Sequence, residues 1–191
     1  MIIIMKKSYF WILGVTLYLL LVMDMAWAEE GRDVKATPAA VSIAPVTEIE
    51  ARAELQRLMD SSIFIASQQL LEEGTFYPYA AVMEVSGDIK LVGVPAKQDD
   101  KPTPRQTIKA LKMALEQLAA KKQYRAVAIF VDFVAIRKDT GGKQAGIRIE
   151  LEHRFPDQLA VFLPYYVSPD GDVSLLTPQY MPGTLHVLGV N

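Results

Sequence analysis

Two neighbouring segments with strand periodicity constrain the fold of this chain more than any other feature. The first, 125–136, is apolar at nearly every position after its arginine and reads Ala-Val-Ala-Ile-Phe-Val-Asp-Phe-Val-Ala-Ile. A strand with two apolar faces lies inside a sheet that is covered on both sides. The second, 146–155, alternates between apolar and charged residues, as a strand with one covered face does. Gly141 and Gly142 lie between them and predict a hairpin tip.

Two helices carry capping signals. Thr47 and Glu50 form a capping box before the first helix, and Gly74 is a typical residue beyond a helix C-terminus. Thr103 and Gln106 form a second box before an apolar stripe at helical spacing. Both helices are therefore predicted from their ends as well as from their periodicity.

The remaining strands are predicted from alternation and turn residues. They cover 76–85, 89–94 and 159–166, with a further short strand near 173–176. The order is α-β-β-α-β-β-β, which predicts an α+β fold: a single antiparallel sheet of about five strands with two main helices. We expect the helices to pack mainly on one face. The C-terminal tail, the first helix or a second subunit would cover the other face of the central strand.

The N-terminal residues have the pattern of a secretory signal peptide. Lys6 and Lys7 precede an uncharged apolar run over 9–23, and the small residues Ala26 and Ala28 follow. This order predicts a signal peptide over 1–28 with cleavage after Ala28. The protein is then exported, to the periplasm or the medium.

An uncleaved anchor is the alternative to cleavage. The apolar run is shorter than the ~20 residues that span a bilayer, and Asp24 interrupts its extension, so cleavage is favoured. An anchored chain would also place its domain outside. Translation could start at Met5 rather than Met1. Residues 29–46 are read as a flexible linker and 47–191 as a single α+β domain.

Composition excludes several classes of function. The chain has no cysteine, which excludes disulfides, cysteine–zinc sites, thiol catalysis and thioether lipidation. Its net charge is −2, whereas proteins that bind nucleic acid show a basic surface. We therefore expect no nucleic-acid partner, and membrane attachment only through an uncleaved leader.

Asp132 and His153 are the candidate catalytic residues. Asp132 interrupts the most apolar strand, and a buried carboxylate is paired or protonated. Arg148 or Arg154 of the next strand is its expected partner, and a structural ion pair is favoured over an active-site acid. His153 is read as a residue at the end of a core face that is hydrogen-bonded to backbone.

No metal site or cofactor is predicted. Glu152 follows the opposite strand face from His153, so the two cannot bind one metal ion without a bulge. The only other histidine, His186, lies in the tail. A two-histidine site would need both side chains and a carboxylate to converge.

Charged and aromatic residues supply the candidate binding surface. Four charged residues alternate along one face of the second long strand: Arg148, Glu150, Glu152 and Arg154. They form either a solvated face with cross-strand pairs or a polar surface for a partner. The candidate tyrosines are Tyr77, Tyr79 and Tyr165, which either anchor a partner or pack against the sheet with a hydrated hydroxyl.

Four segments together resemble a family of small, uncharacterised bacterial α/β proteins. They are Phe76-Tyr77-Pro78-Tyr79, Ser86-Gly87-Asp88, Glu150-Leu151-Glu152-His153-Arg154 and Phe162-Leu163-Pro164-Tyr165. The resemblance covers about 70–166 and implies no catalytic residue. The element order is also similar to that of roadblock and profilin-like folds, which implies a binding or scaffold role.

The sequence therefore favours an exported, non-catalytic protein-interaction module. Its partner is another protein or a second copy of itself. An immunity or inhibitor protein is one alternative within this class. The enzymatic alternative is a small hydrolase or ligand-binding protein that uses Asp132 and His153, and it requires these two side chains to meet in a pocket.

Overall fold

A computed structural model describes residues 46–94, 102–121, 124–155 and 157–189. The predicted signal peptide, its cleavage site and all but the last residue of the predicted linker lie outside the described residues. The helices and strands are α1 (Glu48–Glu73), β1 (Tyr79–Glu84), β2 (Ile89–Val92), α2 (Pro104–Lys121), β3 (Tyr124–Ile136), β4 (Lys143–His153), β5 (Asp157–Val167), β6 (Val173–Leu175) and β7 (Gln179–Pro182).

The predicted helix caps are present. The Thr47 hydroxyl accepts from the Glu50 amide at 3.2 Å, and the Glu50 carboxylate accepts from the Thr47 amide at 2.8 Å. Gly74 ends α1 in the left-handed conformation, with φ of 71°. Thr103 and Gln106 make the same reciprocal contacts before α2. Neither helix in the described part of the chain is both long and apolar enough to span a membrane.

The seven strands form one antiparallel sheet in the order β2-β1-β3-β4-β5-β6, and β7 also pairs with β5. The predicted α+β class is confirmed, with seven strands rather than about five. The additional strand is β7, which the sequence analysis does not predict. Pro178 precedes it and Pro182 ends it, and proline is unfavourable within a strand.

The two helices pack on opposite faces of the sheet, which corrects the expectation that both lie mainly on one face. Along β3, Ala126, Ala128 and Phe130 pack with α1, whereas Val127 and Ile129 pack with α2. Successive strand residues point to opposite faces, so the helices lie on different sides. The residues of the C-terminal segment on the α2 side are Leu185, Val187 and Leu188. The tail therefore covers the second face together with α2.

β3 extends well beyond its neighbour β1. Residues Tyr124–Phe130 pair with β1, whereas Val131–Ile136 pair only with β4 among the residues that the structure describes. Pro78 lies just before β1, where its missing N–H cannot continue the ladder. We call Val131–Ile136 the open edge. The end of the sheet that contains it, together with the β3–β4 hairpin tip at 137–142, is called the distal end.

Candidate functional site

Asp132 lies in β3 on the face covered by α1, and both of its carboxylate oxygens accept hydrogen bonds. The Thr75 hydroxyl donates to one oxygen at 2.7 Å, and the Tyr165 hydroxyl donates to the other at 3.0 Å. Arg148 instead donates to a glutamate on the other face, and Arg154 donates to a backbone carbonyl. The expected arginine pair of Asp132 is therefore wrong. Its observed contacts link the segment before β1 to β5.

The candidate tyrosines are mostly core residues. Tyr165 is 7% exposed, and burial together with the charge of Asp132 raises its pKa, so the hydroxyl remains a donor at neutral pH. Tyr79 is 8% exposed and donates to the Ser62 carbonyl at 2.8 Å. Tyr77 is 45% exposed. Of the three, only Tyr77 presents its side chain to solvent.

His153 ends β4 on the α1 face and is 2% exposed. Its Nδ1 atom accepts from the Phe155 amide at 2.9 Å, and its Nε2 atom lies 2.8 Å from a Glu54 carboxylate oxygen. An imidazole that accepts at Nδ1 and donates at Nε2 is the neutral form with its proton on Nε2. Both ring nitrogens are thus used in structural hydrogen bonds.

Glu54 is a polar core residue that the sequence analysis does not identify. Besides His153, it binds Arg125, whose Nε atom lies 2.9 Å from the carboxylate. The three side chains are mostly buried, at 17% exposure for Glu54, 22% for Arg125 and 2% for His153. Glu54 is 71 residues from Arg125 and 99 from His153 in sequence. No local pattern could have paired them, because the contact forms only when α1 docks on the sheet.

Asp132 and His153 share a face of the sheet but lie far apart. His153 pairs with Ala126 in the β3–β4 register, six positions along β3 from Asp132. At the rise of a strand this separation is roughly 20 Å. The core between them includes Ala128 and Phe130, both of which are fully buried. The structure does not bring these two candidates together in one site.

The charged ladder of β4 lies on the α2 face and is largely occupied by the chain itself. Glu152 is 1% exposed and accepts from the backbone amides of Val187 and Leu188 at 2.6 and 3.2 Å. Burial raises the pKa of Glu152, and these two amides oppose that rise. Glu150 accepts from Arg148 at 2.8 Å and from the Thr184 amide at 3.3 Å. This face therefore binds the C-terminal tail and is not a solvated ladder.

The described residues contain no metal-binding constellation. No group of three or more His, Cys, Asp or Glu side chains in that part of the chain could hold a metal ion. His186 lies in the tail, where its Nδ1 atom is 2.8 Å from the Gln158 amide nitrogen. His153 packs under α1 on the other face. The two histidines accordingly do not converge.

The distal end carries a concentration of exposed apolar side chains. Each of six large side chains there is at least 38% exposed: Phe133, Val134, Ile136, Tyr166, Val167 and Leu176. They lie on both faces of the sheet, because the alternation of β3 places Phe133 on one side and Val134 on the other. Exposed apolar side chains concentrated at one end of a sheet mark an interaction site more often than singly scattered ones do.

A groove of about 640 Å³ opens at the distal end. Its walls are the hairpin tip on one side and the β5–β7 region on the other, with Ala135, Arg137, Phe162 and Leu176 among its lining residues. Phe162 meets Phe133 edge-to-face at 6.2 Å, and the Arg148 guanidinium lies 5.6 Å from the Phe133 ring centre. Phe162 is thus the aromatic residue that lines the groove, and the charged residues of its lining are Arg137, Lys138 and Asp139 of the hairpin tip.

A second, smaller groove of about 440 Å³ lies beside β2. Its apolar lining residues are Phe64, Ile89 and Leu91, and of these Phe64 and Leu91 are exposed, at 48% and 51%. Arg57 crosses it and donates to the Gly87 carbonyl at 3.2 Å. It has fewer exposed apolar residues than the distal end, so its Leu91 is a suitable control position for substitutions at the distal end.

Comparison with known proteins adds no relative. No protein-family model, curated protein or solved structure matches the chain. The resemblances drawn from short segments and from element order therefore stay predictions, and the function has to be argued from the site itself.

Proposed function

We propose that this chain is a non-catalytic protein-interaction module that works outside the cytoplasm, and that its binding surface is the distal end. The observation that carries the proposal is the concentration of six exposed apolar side chains at the distal end, two of which, Ile136 and Leu176, line an open groove. Binding surfaces bury aromatic and aliphatic anchors within a polar rim, and the distal end offers both kinds of residue.

The contacts of the two candidate catalytic residues support a binding role over an enzymatic one. Asp132 is held by two hydroxyl donors, and His153 uses both ring nitrogens in structural bonds. Neither side chain lines the distal groove or the groove beside β2. A general acid or base must reach a bound substrate, and these two residues instead hold β-strands and α1 together.

The location outside the cytoplasm rests on the leader pattern of residues 1–28. A chain without cysteine is also unaffected by the redox potential of its compartment. Its domain would be stabilised by its core alone, and that core is extensive on both faces of the sheet.

Site-specific photocrosslinking in cells tests the binding surface. A photoreactive residue replaces Tyr166 at the distal end or, as the control, Ile49 on α1; their side chains are 55% and 82% exposed. We expect discrete crosslinked species from position 166 and none from position 49, although the control position is more exposed. Equal crosslinking from both positions, or none from position 166, would contradict the proposal.

A further inference from the structure

We infer that the distal end binds its partner by strand addition: an extended segment of another protein pairs with the open edge and carries acidic residues beside the hairpin tip. This inference rests on the proposed function and names its partner class. The juxtaposition behind it is a strand edge that no described segment pairs with, apolar side chains on both of its faces, and a cluster of basic residues at its end.

The open edge has unused backbone hydrogen-bonding capacity. Val131–Ile136 pair with β4 on one side, and no described segment pairs with them on the other. Every second residue of an antiparallel strand points its N–H and C=O groups to the same side. A row of such groups is the template on which extended peptides add to sheets.

The other sheet edges carry features that discourage pairing. The β7 edge contains Pro182 and follows Pro178, and the β2 edge spans only Ile89–Val92 and includes Lys90. The β6 edge spans only the three residues Val173–Leu175. Proline, lysine and very short edge strands are the means by which natural sheets protect their edges. The single charged residue of the open edge is Asp132, and its carboxylate is occupied by Thr75 and Tyr165.

The side chains of the open edge select for an apolar strand. Phe133 projects on the α2 face at 38% exposure, and Val134 and Ile136 project on the α1 face at 52% and 62%. A strand laid beside them would bury these side chains against cross-strand neighbours on both faces. The occupant is therefore expected to have apolar residues on both of its sides.

The charge at the end of the edge selects for acidic residues. The hairpin carries three basic residues, Arg137, Lys138 and Lys143, and one acidic residue, Asp139. Asp139 pairs with Arg137, whose Nε atom lies 3.1 Å from its carboxylate. The two lysines extend the basic surface beyond this pair. Complementary charge of this kind steers association and fixes the register of the bound strand.

Peptide titration with amide hydrogen exchange on the full chain tests the inference. The probe is a synthetic peptide as long as the open edge, with valine at successive positions so that both of its faces are apolar, and with a run of glutamates at one end. A second peptide has lysines in place of the glutamates. We expect the glutamate peptide to bind at least about tenfold more tightly, since the lysine peptide meets like charge at the tip. Its binding slows exchange within residues 131–136.

Two substitutions at positions of similar exposure test whether the peptide binds at the open edge or elsewhere on the surface. Val134→Lys places a charge on the open edge, and Leu91→Lys places one on β2; the replaced side chains are 52% and 51% exposed. Val134→Lys should weaken binding of the glutamate peptide by about tenfold or more, whereas Leu91→Lys leaves it within about twofold. Lys143→Glu should reduce the preference for the glutamate peptide.

Four results overturn the inference: no binding of the glutamate peptide, slowed exchange only outside 131–136, slow exchange before any peptide is added of the amides in 131–136 that point away from β4, or slow exchange of those amides that appears with protein concentration. The third result would mean that this chain's own residues cover the edge, and the fourth that a second copy does. If position 166 still crosslinks a partner in the Val134→Lys variant, strand addition fails while the proposed binding function stands.

Discussion

Gly146 is a position in β4 where no side chain fits. A Cβ atom there would lie 2.4 and 2.5 Å from two ring atoms of Phe162 and 3.0 Å from the Leu163 carbonyl oxygen. Phe162 is 7% exposed and also contacts Phe133, so a shift of its ring would disturb that contact. The glycine thus leaves room for an aromatic ring that lines the distal groove.

We predict that Gly146→Ala destabilises the protein by about 1–3 kcal/mol, as overpacking of a filled site does. Gly93→Ala is the matched control, because nothing lies within 4 Å of a Cβ at that position. The control should change the free energy of unfolding by no more than about 0.5 kcal/mol. Denaturant unfolding of both variants measures this difference, and equal effects would show that the Phe162 contact is not the cause.

Among the polar residues under α1, Glu54 is the one whose substitution should lower the free energy of unfolding most. Glu54→Ala leaves the mostly buried Arg125 cation and the Nε2 proton of His153 without their acceptor. Removing one partner of a buried charge pair costs about 3–5 kcal/mol, and the partial exposure of this pair places its cost near the lower limit. Glu72→Ala, at an exposed position of the same helix, should change stability by less than about 0.5 kcal/mol. A similar loss in both variants, compared by thermal unfolding, would contradict this role.

The elements of the fold could be predicted from the sequence wherever the signal is local. The capping boxes at Thr47 and Thr103 are contained within four residues each, and Gly74 ends α1 through its own backbone conformation. The alternation of β4 likewise assigns Ile147 and Arg148 to opposite faces without any knowledge of the neighbours. Such signals depend on residues that are close in sequence, so they can be recognised without a three-dimensional structure.

The arrangement of those elements could not be predicted in the same way. An apolar stripe shows that α2 packs on the sheet but does not show which face it covers. The partners of Asp132 are 57 and 33 residues away in sequence, and hydroxyl donors give no periodic pattern. The open edge is equally hidden, because it depends on β1 ending its pairing at Phe130 while β3 continues. Candidate sites built from side chains of distant elements are therefore the part that sequence reasoning misses.

Glu152, which binds two amides of the C-terminal tail, makes the stability of the fold depend on pH. Burial raises its pKa in the folded protein above the ordinary value of 4.5, so the folded state binds a proton more tightly than the unfolded state does. Its contribution to stability is full below that ordinary value and decreases as pH rises through the folded pKa. Deprotonation thus works against the buried position of the side chain beneath the tail.

We predict that Glu152→Gln gains stability relative to the wild type as pH is raised from 4 towards neutrality, because the amide carries no charge to bury. Unfolding free energies of the two proteins at a series of pH values give the difference directly. Glu152→Asp keeps a titratable carboxylate on the same strand and should retain the pH dependence of the wild type. A constant difference between Glu152→Gln and the wild type would show that the Glu152 carboxylate does not contribute.

At the scale of the whole molecule, the described domain divides into a covered part and an uncovered part. α1 covers one face, and α2 with the tail covers the other, whereas the distal end projects past both helices. The covered part holds Glu54 with His153 and Glu152 beneath the tail, whereas Asp132 belongs to the open edge. The uncovered part holds the groove and the open edge. The residues that stabilise the fold and the residues proposed to bind a partner therefore lie mostly at different ends of one sheet. Substitutions that weaken binding can then be tested in a protein that still folds.

The predicted export of the molecule can be checked by fluorescence. Both tryptophans of the chain, Trp11 and Trp27, precede the predicted cleavage site, and the eight tyrosines include Tyr9 and Tyr18 before it. The processed protein should therefore show tyrosine fluorescence and no tryptophan fluorescence, with an intact mass that starts at Glu29. Ala28→Asp replaces the small residue that signal peptidases require and should leave a precursor with tryptophan fluorescence. Ala39→Asp, the same change beyond the cleavage site, should be processed normally. Tryptophan fluorescence in the wild-type protein recovered from the cell envelope would instead mean that the leader is retained as an anchor.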